Sequence, residues 1–332
     1  MQIIEEAKKL TDNIFSIKGD KEFEKTAINI FRFQYKYIGV YKQFVDYLNV
    51  DPADVKSIQQ IPFMPIEFFK SHPVYPPDLN PEKLFTSSGT TGSKVSKHYV
   101  VDQELYINSF TKGFDAFYGS YKDYIICALL PAYLEREGSS LVYMVDYMIR
   151  NGKKGSGFYL NNYDELIKEL KSQKDKNNKV LLIGVSFALL DIAESNQLNL
   201  SNVTVMETGG MKGRRKELIR EELHSILENG LGVKGIHSEY GMTELLSQAY
   251  SKGDGLFQCP PWMKVICRDM NDPLSIMKPN KSGGINVIDL ANVYSCSFIA
   301  TQDIGKVYDN GLFEVLGRFD SSDIRGCNLL VF

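Results

Sequence analysis

The sequence predicts an α/β protein, because three patterns follow one another along its 332 residues. Helical periodicity dominates residues 1–60, where apolar side chains such as Ile28, Ile30 and Phe31 recur among polar ones. From residue 84 onward, short apolar strands alternate with amphipathic helical stretches, which is typical of a sheet covered by helices. After residue 260 the helical signals fade, and short β segments separated by turns follow.

The elements can be assigned in chain order from these patterns. Strands are predicted at 84–88, 98–101, 123–130, 179–185, 202–210 and 234–240, with helices at 163–173 and 214–230 among them. Further β segments are predicted at 263–269, 283–290, 294–303 and 311–320. The chain is therefore expected to comprise a helical preamble (1–60), an α/β core (61–260), a β-rich subdomain (261–316) and a hinge-like tail (317–332).

Composition and charge exclude several classes of protein. The 41 acidic and 38 basic residues give a net charge of −3, and no basic arm or stripe suits a nucleic-acid backbone. No segment approaches the roughly 18 uninterrupted apolar residues of a membrane span, and the N-terminus lacks the apolar core of a signal peptide. Five cysteines without C-x-x-C spacing argue against a disulfide framework and a zinc site. We expect a cytoplasmic protein with a free thiol.

The stretch LFTSSGTTGSKVSKHYV, residues 84–100, has the composition of a phosphate-binding loop. It lacks the G-x-x-x-x-G-K spacing of a Walker loop, the dinucleotide G-x-G-x-x-G and the G-x-S-x-G elbow. Glycines free backbone amides, hydroxyls donate hydrogen bonds, and Lys94 adds a compact cation. The residues alone leave two interpretations equally open, a polyphosphate site and a Ser/Thr/Gly-rich surface turn. The candidate ligands are Thr86, Ser87, Ser88, Gly89, Thr90, Thr91 and Gly92.

Five segments resemble, in the right order, the signature blocks of the adenylate-forming (acyl-AMP) superfamily. They are TSSGTTGSK, ETGGMKGR, SEYGMTE, ATQDIG and GRFD. The stretch FMPIEFFKSHPVY, the form GGMKGR and the ending RGCNLLVF narrow the resemblance to the acyl-protein synthetase family, the ATP-using component of bioluminescence fatty-acid reductases. This resemblance implies the large N-terminal domain of the adenylate-forming fold, with layered α/β sheets and a small β subdomain, and without the usual small C-terminal domain.

The resemblance implies a nucleotide role for the residues of SEYGMTE. Tyr240 would lie on the adenine ring, Thr243 would bind the α-phosphate, and Glu244 would hold Mg²⁺, with Gly241 between them in the same block. An ordinary buried aromatic residue and a solvated acid are the alternatives for Tyr240 and Glu244.

Two further blocks are implied to complete the nucleotide site. Gly209 and Gly210 would let the backbone pass close to the adenine, although a plain Gly-Gly turn has the same sequence. Asp303 would accept both ribose hydroxyls, with Arg318 donating to the same sugar or to phosphate. A turn aspartate and a surface ion pair are the alternatives here.

The chain is expected to depart from the superfamily after GRFD and to lack the small domain that carries the adenylation lysine. The cation is then expected to come from Lys94, Arg325 or another residue, and the resemblance gives Cys327 the role of acyl acceptor. A packed residue of a terminal strand is the alternative for Cys327.

The resemblance implies an enzyme that uses ATP and Mg²⁺ to activate a long-chain fatty acid, acylates its own Cys327 and delivers the acyl group to a partner reductase. Two alternatives stay open: a phenylacetate-type coenzyme A ligase and a nucleotide-binding partner subunit without turnover. The glycine spacing disfavours a third, a Walker-type ATPase.

Overall fold

The computed structural model describes residues 2–88, 94–130, 138–160, 162–173, 176–195, 197–209 and 218–319. Helices and strands alternate within these ranges, which confirms the predicted α/β class. None of the helices in these ranges combines the length and the apolar character that crossing a lipid bilayer requires.

The helices of the described ranges are α1 (Gln2–Thr11), α2 (Asp20–Tyr37), α3 (Gly39–Tyr47), α4 (Phe68–Ser71), α5 (Gln103–Tyr118), α6 (Ser140–Asn151), α7 (Tyr163–Ser172), α8 (Ser186–Ser195) and α9 (Arg220–Leu231). The strands are β1 (Met64–Pro65), β2 (Lys83–Thr86), β3 (Lys97–Val100), β4 (Tyr124–Leu129), β5 (Gly157–Phe158), β6 (Lys179–Gly184), β7 (Val203–Glu207), β8 (His237–Tyr240), β9 (Ala249–Ser251), β10 (Phe257–Gln258), β11 (Met263–Arg268), β12 (Ser282–Asp289), β13 (Phe298–Val307) and β14 (Phe313–Arg318).

One large mixed sheet organises the described part of the chain. Its strand order is β11-β12-β13-β14-β10-β9-β8-β7-β6-β4-β5, and β1 pairs with β13. The strands from β5 to β8 run parallel, whereas every step from β8 to β11 is antiparallel. The sheet is therefore continuous across residue 260, where the sequence pattern changes; the division of the chain into four parts stays a prediction.

The parallel strands lie at the centre of the core. All six residues of β4 are buried, and so are five of the six in β6, because helices cover both faces of such a sheet. This explains their uninterrupted apolar sequences. Ligands of open parallel sheets bind beyond the carboxyl ends of the strands, so the residues that follow β7 and β8 stand where a site is expected.

The helical preamble is joined to the β-rich end of the sheet by a buried glutamine. Helix α2 buries an apolar face that includes Phe23, Ala27 and Phe31. On the same helix, the amide nitrogen of Gln34 donates to the carbonyl oxygens of Asn292 (2.9 Å) and Val293 (3.0 Å). Its oxygen accepts a hydrogen bond of 3.0 Å from the Ser297 amide. Both ends of the buried side chain are thus satisfied, as a buried polar group requires.

Two helix glycines differ sharply in the space around them. A Cβ atom at Gly230 in α9 would lie 2.2 Å from the carbonyl oxygen of Ala193 in α8, whereas one at Gly113 in α5 would meet only the Trp262 ring, at 3.8 Å. We expect Gly230→Ala to lower the free energy of unfolding by about 1–3 kcal/mol, because backbone cannot move aside cheaply. The matched Gly113→Ala should raise it by about 0.5–1 kcal/mol through helix propensity. Equal effects in urea unfolding would contradict this packing.

Candidate active site

The Ser/Thr/Gly loop is carried by the hairpin of β2 and β3. The two strands pair from Lys83 opposite Val100 to Thr86 opposite Lys97. Beyond them, the Ser87 amide donates to the Ser96 carbonyl (3.1 Å), and the Ser96 amide donates to the Ser87 hydroxyl (2.9 Å). These bonds close the base of the loop. Ser88 and Lys94 are exposed on either side of residues 89–93, and the candidates Gly89, Thr90, Thr91 and Gly92 lie outside the described residues.

The imidazole of His98, buried on β3, connects this hairpin to the SEYGMTE segment. Its Nδ1 lies 2.8 Å from the carbonyl oxygen of Thr243, and its Nε2 lies 3.1 Å from Oδ1 of Asn292. Burial lowers the pKa of His98 to about 4, so the ring is neutral and donates to one of these oxygens at a time. The Asn292 amide nitrogen in turn donates to the Glu244 carbonyl at 2.8 Å. The loop strand and the Thr243–Glu244 backbone are therefore fixed to each other.

Tyr240 and Arg318, the last residues of β8 and β14, come together with Asp303 in the middle of β13. The Tyr240 hydroxyl donates to Oδ2 of Asp303 at 2.9 Å, and Nε of Arg318 lies 3.2 Å from Oδ1. Asp303 and Arg318 are also direct partners in the pairing of β13 with β14. Burial, and then the neighbouring Asp303 charge, raise the pKa of Tyr240 and keep its hydroxyl protonated. The structure thus brings together three residues that are far apart in sequence.

Glu244 presents a single buried carboxyl beside this cluster. It is 5% exposed, and burial raises its pKa although a hydrogen bond from Ser96 opposes the rise. Within the described ranges no group of three or more His, Cys, Asp and Glu side chains could hold a metal ion. One carboxylate still suits Mg²⁺, which commonly takes few protein ligands and several phosphate oxygens, and a bound cation would favour the charged carboxylate. Thr243, the preceding residue, is partly exposed.

A buried carboxylate shapes the ETGG turn after β7. Oε2 of Glu207 accepts a 2.7 Å hydrogen bond from the amide of Gly209, whose φ of 71° lies in the left-handed region. Oε1 accepts a 2.9 Å bond from Arg220 at the start of α9. Burial by itself raises the pKa of Glu207, but the His224 ring, the Arg220 charge and the Gly209 amide outweigh burial and lower the pKa to about 2. Gly210, the second glycine of the turn, lies outside the described residues.

Sequence reasoning missed the residues that support this site from behind. They are His98, Glu207, Arg220, Asn292 and Asp289. The buried Asp289 carboxylate accepts hydrogen bonds from the backbone amides of Leu246 (2.7 Å) and Ser247 (2.9 Å). Each of these supporting residues is a polar residue in or beside an apolar strand or helix, and a lone polar residue in a strand gives no periodic signal. The predicted Cys327 and Arg325 lie outside the described residues, so their positions relative to the site stay predictions.

No protein-family model matches the chain, and no curated protein matches it. Among solved structures, it is similar to 2-hydroxyisobutyryl-CoA ligase in complex with 2-HIB-AMP and CoA, with a TM-score of 0.69 at 12% identity, over 93% of this chain and 71% of the ligase. It is also similar to ATP-bound MatB from Rhodopseudomonas palustris, with a TM-score of 0.53 at 16% identity, over 71% of this chain and 47% of MatB.

The ATP-bound RpMatB-BxBclM chimera B1 gives a third match, with a TM-score of 0.55 at 16% identity. That match covers 71% of this chain and 47% of the chimera, so the chain spans about half the length of MatB and of the chimera. The fold is that of the adenylate-forming enzymes. At these identities the likeness establishes the fold alone.

The low pKa of Glu207 makes a prediction about acid stability. A carboxyl whose folded-state pKa is below its unfolded value contributes stability that is fully present above about pH 4.5 and is lost as the pH falls toward 2. We expect Glu207→Gln to lose up to about 3 kcal/mol of unfolding free energy at pH 7 and less at pH 3.5. Urea unfolding of the variant and the wild-type protein at both pH values measures how far the difference in unfolding free energy decreases. Glu222→Gln, on the exposed face of α9, is the control. A difference from wild type that stays constant with pH would show that Glu207 is not the titrating group.

Proposed function

We propose that the chain is an ATP-dependent acyl-protein synthetase, which activates a fatty acid as acyl-AMP and transfers the acyl group to its own Cys327. The observation that carries the proposal is the Asp303 carboxylate, held between the Tyr240 hydroxyl and Arg318. A fixed carboxylate suits the two hydroxyls of a ribose. The similarity in fold to an ATP-bound and to an acyl-AMP-bound ligase supports acyl adenylation in general.

In the first step, an oxygen of the substrate carboxylate attacks the α-phosphorus of ATP, and the bond to pyrophosphate breaks. Negative charge grows on the departing group, where the amides and hydroxyls of the loop and the Lys94 ammonium would stabilise it. Thr243 would bind the α-phosphate. Glu244 would hold Mg²⁺, which neutralises phosphate charge when bound. Catalysis in this step depends on positioning and electrostatics.

In the second step, the Cys327 thiolate attacks the acyl carbon of the mixed anhydride, and the bond to AMP breaks to leave a thioester. The thiol proton passes to solvent, with Arg325 favouring the thiolate. The cysteines of the described part of the chain are poor acceptors, since burial raises the pKa of Cys127 and Cys296 to about 12 and also raises the pKa of Cys259 and Cys267. The thioester would then be delivered to a partner acyl reductase.

A second candidate function is acyl-CoA formation. It is favoured by the likeness in fold to a ligase that holds both an acyl-AMP and CoA. The two candidates share the adenylation step and differ only in the thiol that accepts the acyl group.

The acceptor can be identified with radiolabelled fatty acids, MgATP and Cys327→Ser. We expect wild-type protein to carry a hydroxylamine-sensitive label on a denaturing gel, and the variant to lose the label while still forming acyl-AMP. Cys259→Ser, which removes another thiol, should label as wild type does. If both proteins stay unlabelled and acyl-CoA forms when coenzyme A is added, the ligase is the correct function. ATP binding without pyrophosphate release would leave only a nucleotide-binding subunit.

Asp303→Asn tests the nucleotide role separately. Loss of the charged acceptor should raise the KM for ATP by about tenfold to a hundredfold, because a hydrogen bond to a charged group contributes about 1.5–3 kcal/mol. Initial rates of pyrophosphate release against ATP concentration measure this change. Asp164→Asn, an exposed residue of α7, is the control. An unaltered KM for ATP would exclude Asp303 from the ribose site.

A further inference from the structure

Glu239 lies on β8 with its side chain turned away from the nucleotide residues. Successive side chains of a strand alternate between faces, so Glu239 projects opposite to Ser238 and Tyr240. Its cross-strand partner is Tyr250. The Tyr250 ring packs against α5, with centroid distances of 5.3 Å to Phe117 and 5.5 Å to Tyr118. Glu239 thus faces the space between the sheet and α5, and it stays partly exposed there.

The Glu239 carboxyl receives no hydrogen bond from the described part of the chain. Its Oε1 lies 2.3 Å from the point where a Cβ on Gly241 would stand, and Cγ of Gln248 is 3.3 Å from the same point. The carboxyl therefore lies over Gly241 with Gln248 close by. Burial, and then the Glu207 charge, raise the pKa of Glu239 to about 8. The nearby Tyr106 hydroxyl donates elsewhere, to the Ser140 carbonyl at 3.0 Å.

The side-chain oxygen of Gln248 is a second hydrogen-bond acceptor that receives no hydrogen bond from the described residues. The residue is 5% exposed, and its Oε1 has no hydrogen-bond partner among the described residues. By strand alternation Gln248 shares the face of Tyr250, and therefore that of Glu239. A buried acceptor left unpaired costs about 1–3 kcal/mol. Two neighbouring acceptors on one face thus leave a position for a hydrogen-bond donor from outside the protein.

We propose that Glu239 and Gln248 bind a hydrogen-bond donor, a hydroxyl or an amine, on the acyl chain of the substrate acid. This inference rests on the proposed adenylation of a carboxylic acid and narrows its substrate from a plain fatty acid to one bearing such a donor. Glu239 directly precedes Tyr240, and Thr243 follows three residues later. The acyl chain would therefore lie on the α5 side of β8, while the nucleotide binds on the Tyr240 side.

The test uses acid-dependent exchange of pyrophosphate into ATP, which reports adenylation without involving Cys327. The substrates are matched sets of straight-chain acids that differ only in a hydrogen, hydroxyl or amino group at one carbon, with that carbon varied along the chain. We expect wild-type protein to prefer one hydroxylated or aminated acid by about tenfold or more in kcat/KM over its unsubstituted counterpart. Glu239→Leu and Gln248→Leu should each reduce this ratio toward one.

Glu239→Gln separates the two donor chemistries, because glutamine keeps an acceptor oxygen but cannot form the carboxylate that a bound ammonium group would stabilise. A hydroxyl preference should survive in this variant, whereas an amine preference should fall by about tenfold. Glu222→Gln should leave every ratio as in wild type. The ratio of kcat/KM between substituted and unsubstituted acid is the quantity to compare, because a variant that only folds poorly loses activity toward all acids alike.

A wild-type preference for the unsubstituted acids, unaltered in Glu239→Leu, would overturn the proposal and assign the two oxygens to bound water. Absence of exchange with every acid would instead contradict the proposed function. In that case, thermal shifts with the same matched acids test the pair directly. A greater shift by the substituted acid that is lost in Glu239→Leu supports the site, and equal shifts overturn it.

Discussion

The described structure depends on the buried residue Asn292, which joins three parts of the chain that are distant from it in sequence. Its carbonyl accepts the amide of Gln34 from the helical preamble, and its Oδ1 meets His98 on the loop hairpin. Its amide nitrogen donates to the carbonyls of Glu244, at 2.8 Å, and of Cys296, at 3.0 Å. An unsatisfied group at such a point costs about 1–3 kcal/mol, so replacing one partner disturbs all the others. The geometry of the candidate site thus depends on the buried hydrogen bonds of Asn292, a residue outside the predicted ligand-binding set.

Two buried carboxylates of the site are likewise held in place by their hydrogen-bonding partners. Asp303 and Glu207 are both less than a tenth exposed, and each has a cation and a neutral donor: Arg318 with Tyr240, and Arg220 with the Gly209 amide. Burying a carboxylate without partners is costly, whereas a partnered one is held in a single orientation. Little reorganisation is then needed when a polar ligand binds, which favours both affinity and catalysis.

Sequence periodicity predicted the central fold because strands such as β4 and β6 are buried on both faces and read as apolar runs. It placed the start of α9 less well, since the predicted helix begins at residue 214 and the described one at Arg220. The residues of the candidate site were predicted through resemblance, and the structure brings Tyr240, Asp303 and Arg318 together. Their supports, such as His98, could not be predicted, because a single polar residue acquires its role only from partners that are distant in sequence.

Glu207 and Glu239 stand on neighbouring strands with their side chains on opposite faces, yet the charge of Glu207 contributes to the raised pKa of Glu239. A charged ligand bound on the Glu207 face would therefore also act electrostatically on Glu239 on the other face. Thermodynamic linkage makes such an effect reciprocal. A ligand that changes the affinity of the α5 side by binding at the ETGG turn would have its own affinity changed by the same factor when the α5 side is occupied. Two adjacent strands would then be sufficient to make the binding of two ligands cooperative, without any movement of the backbone.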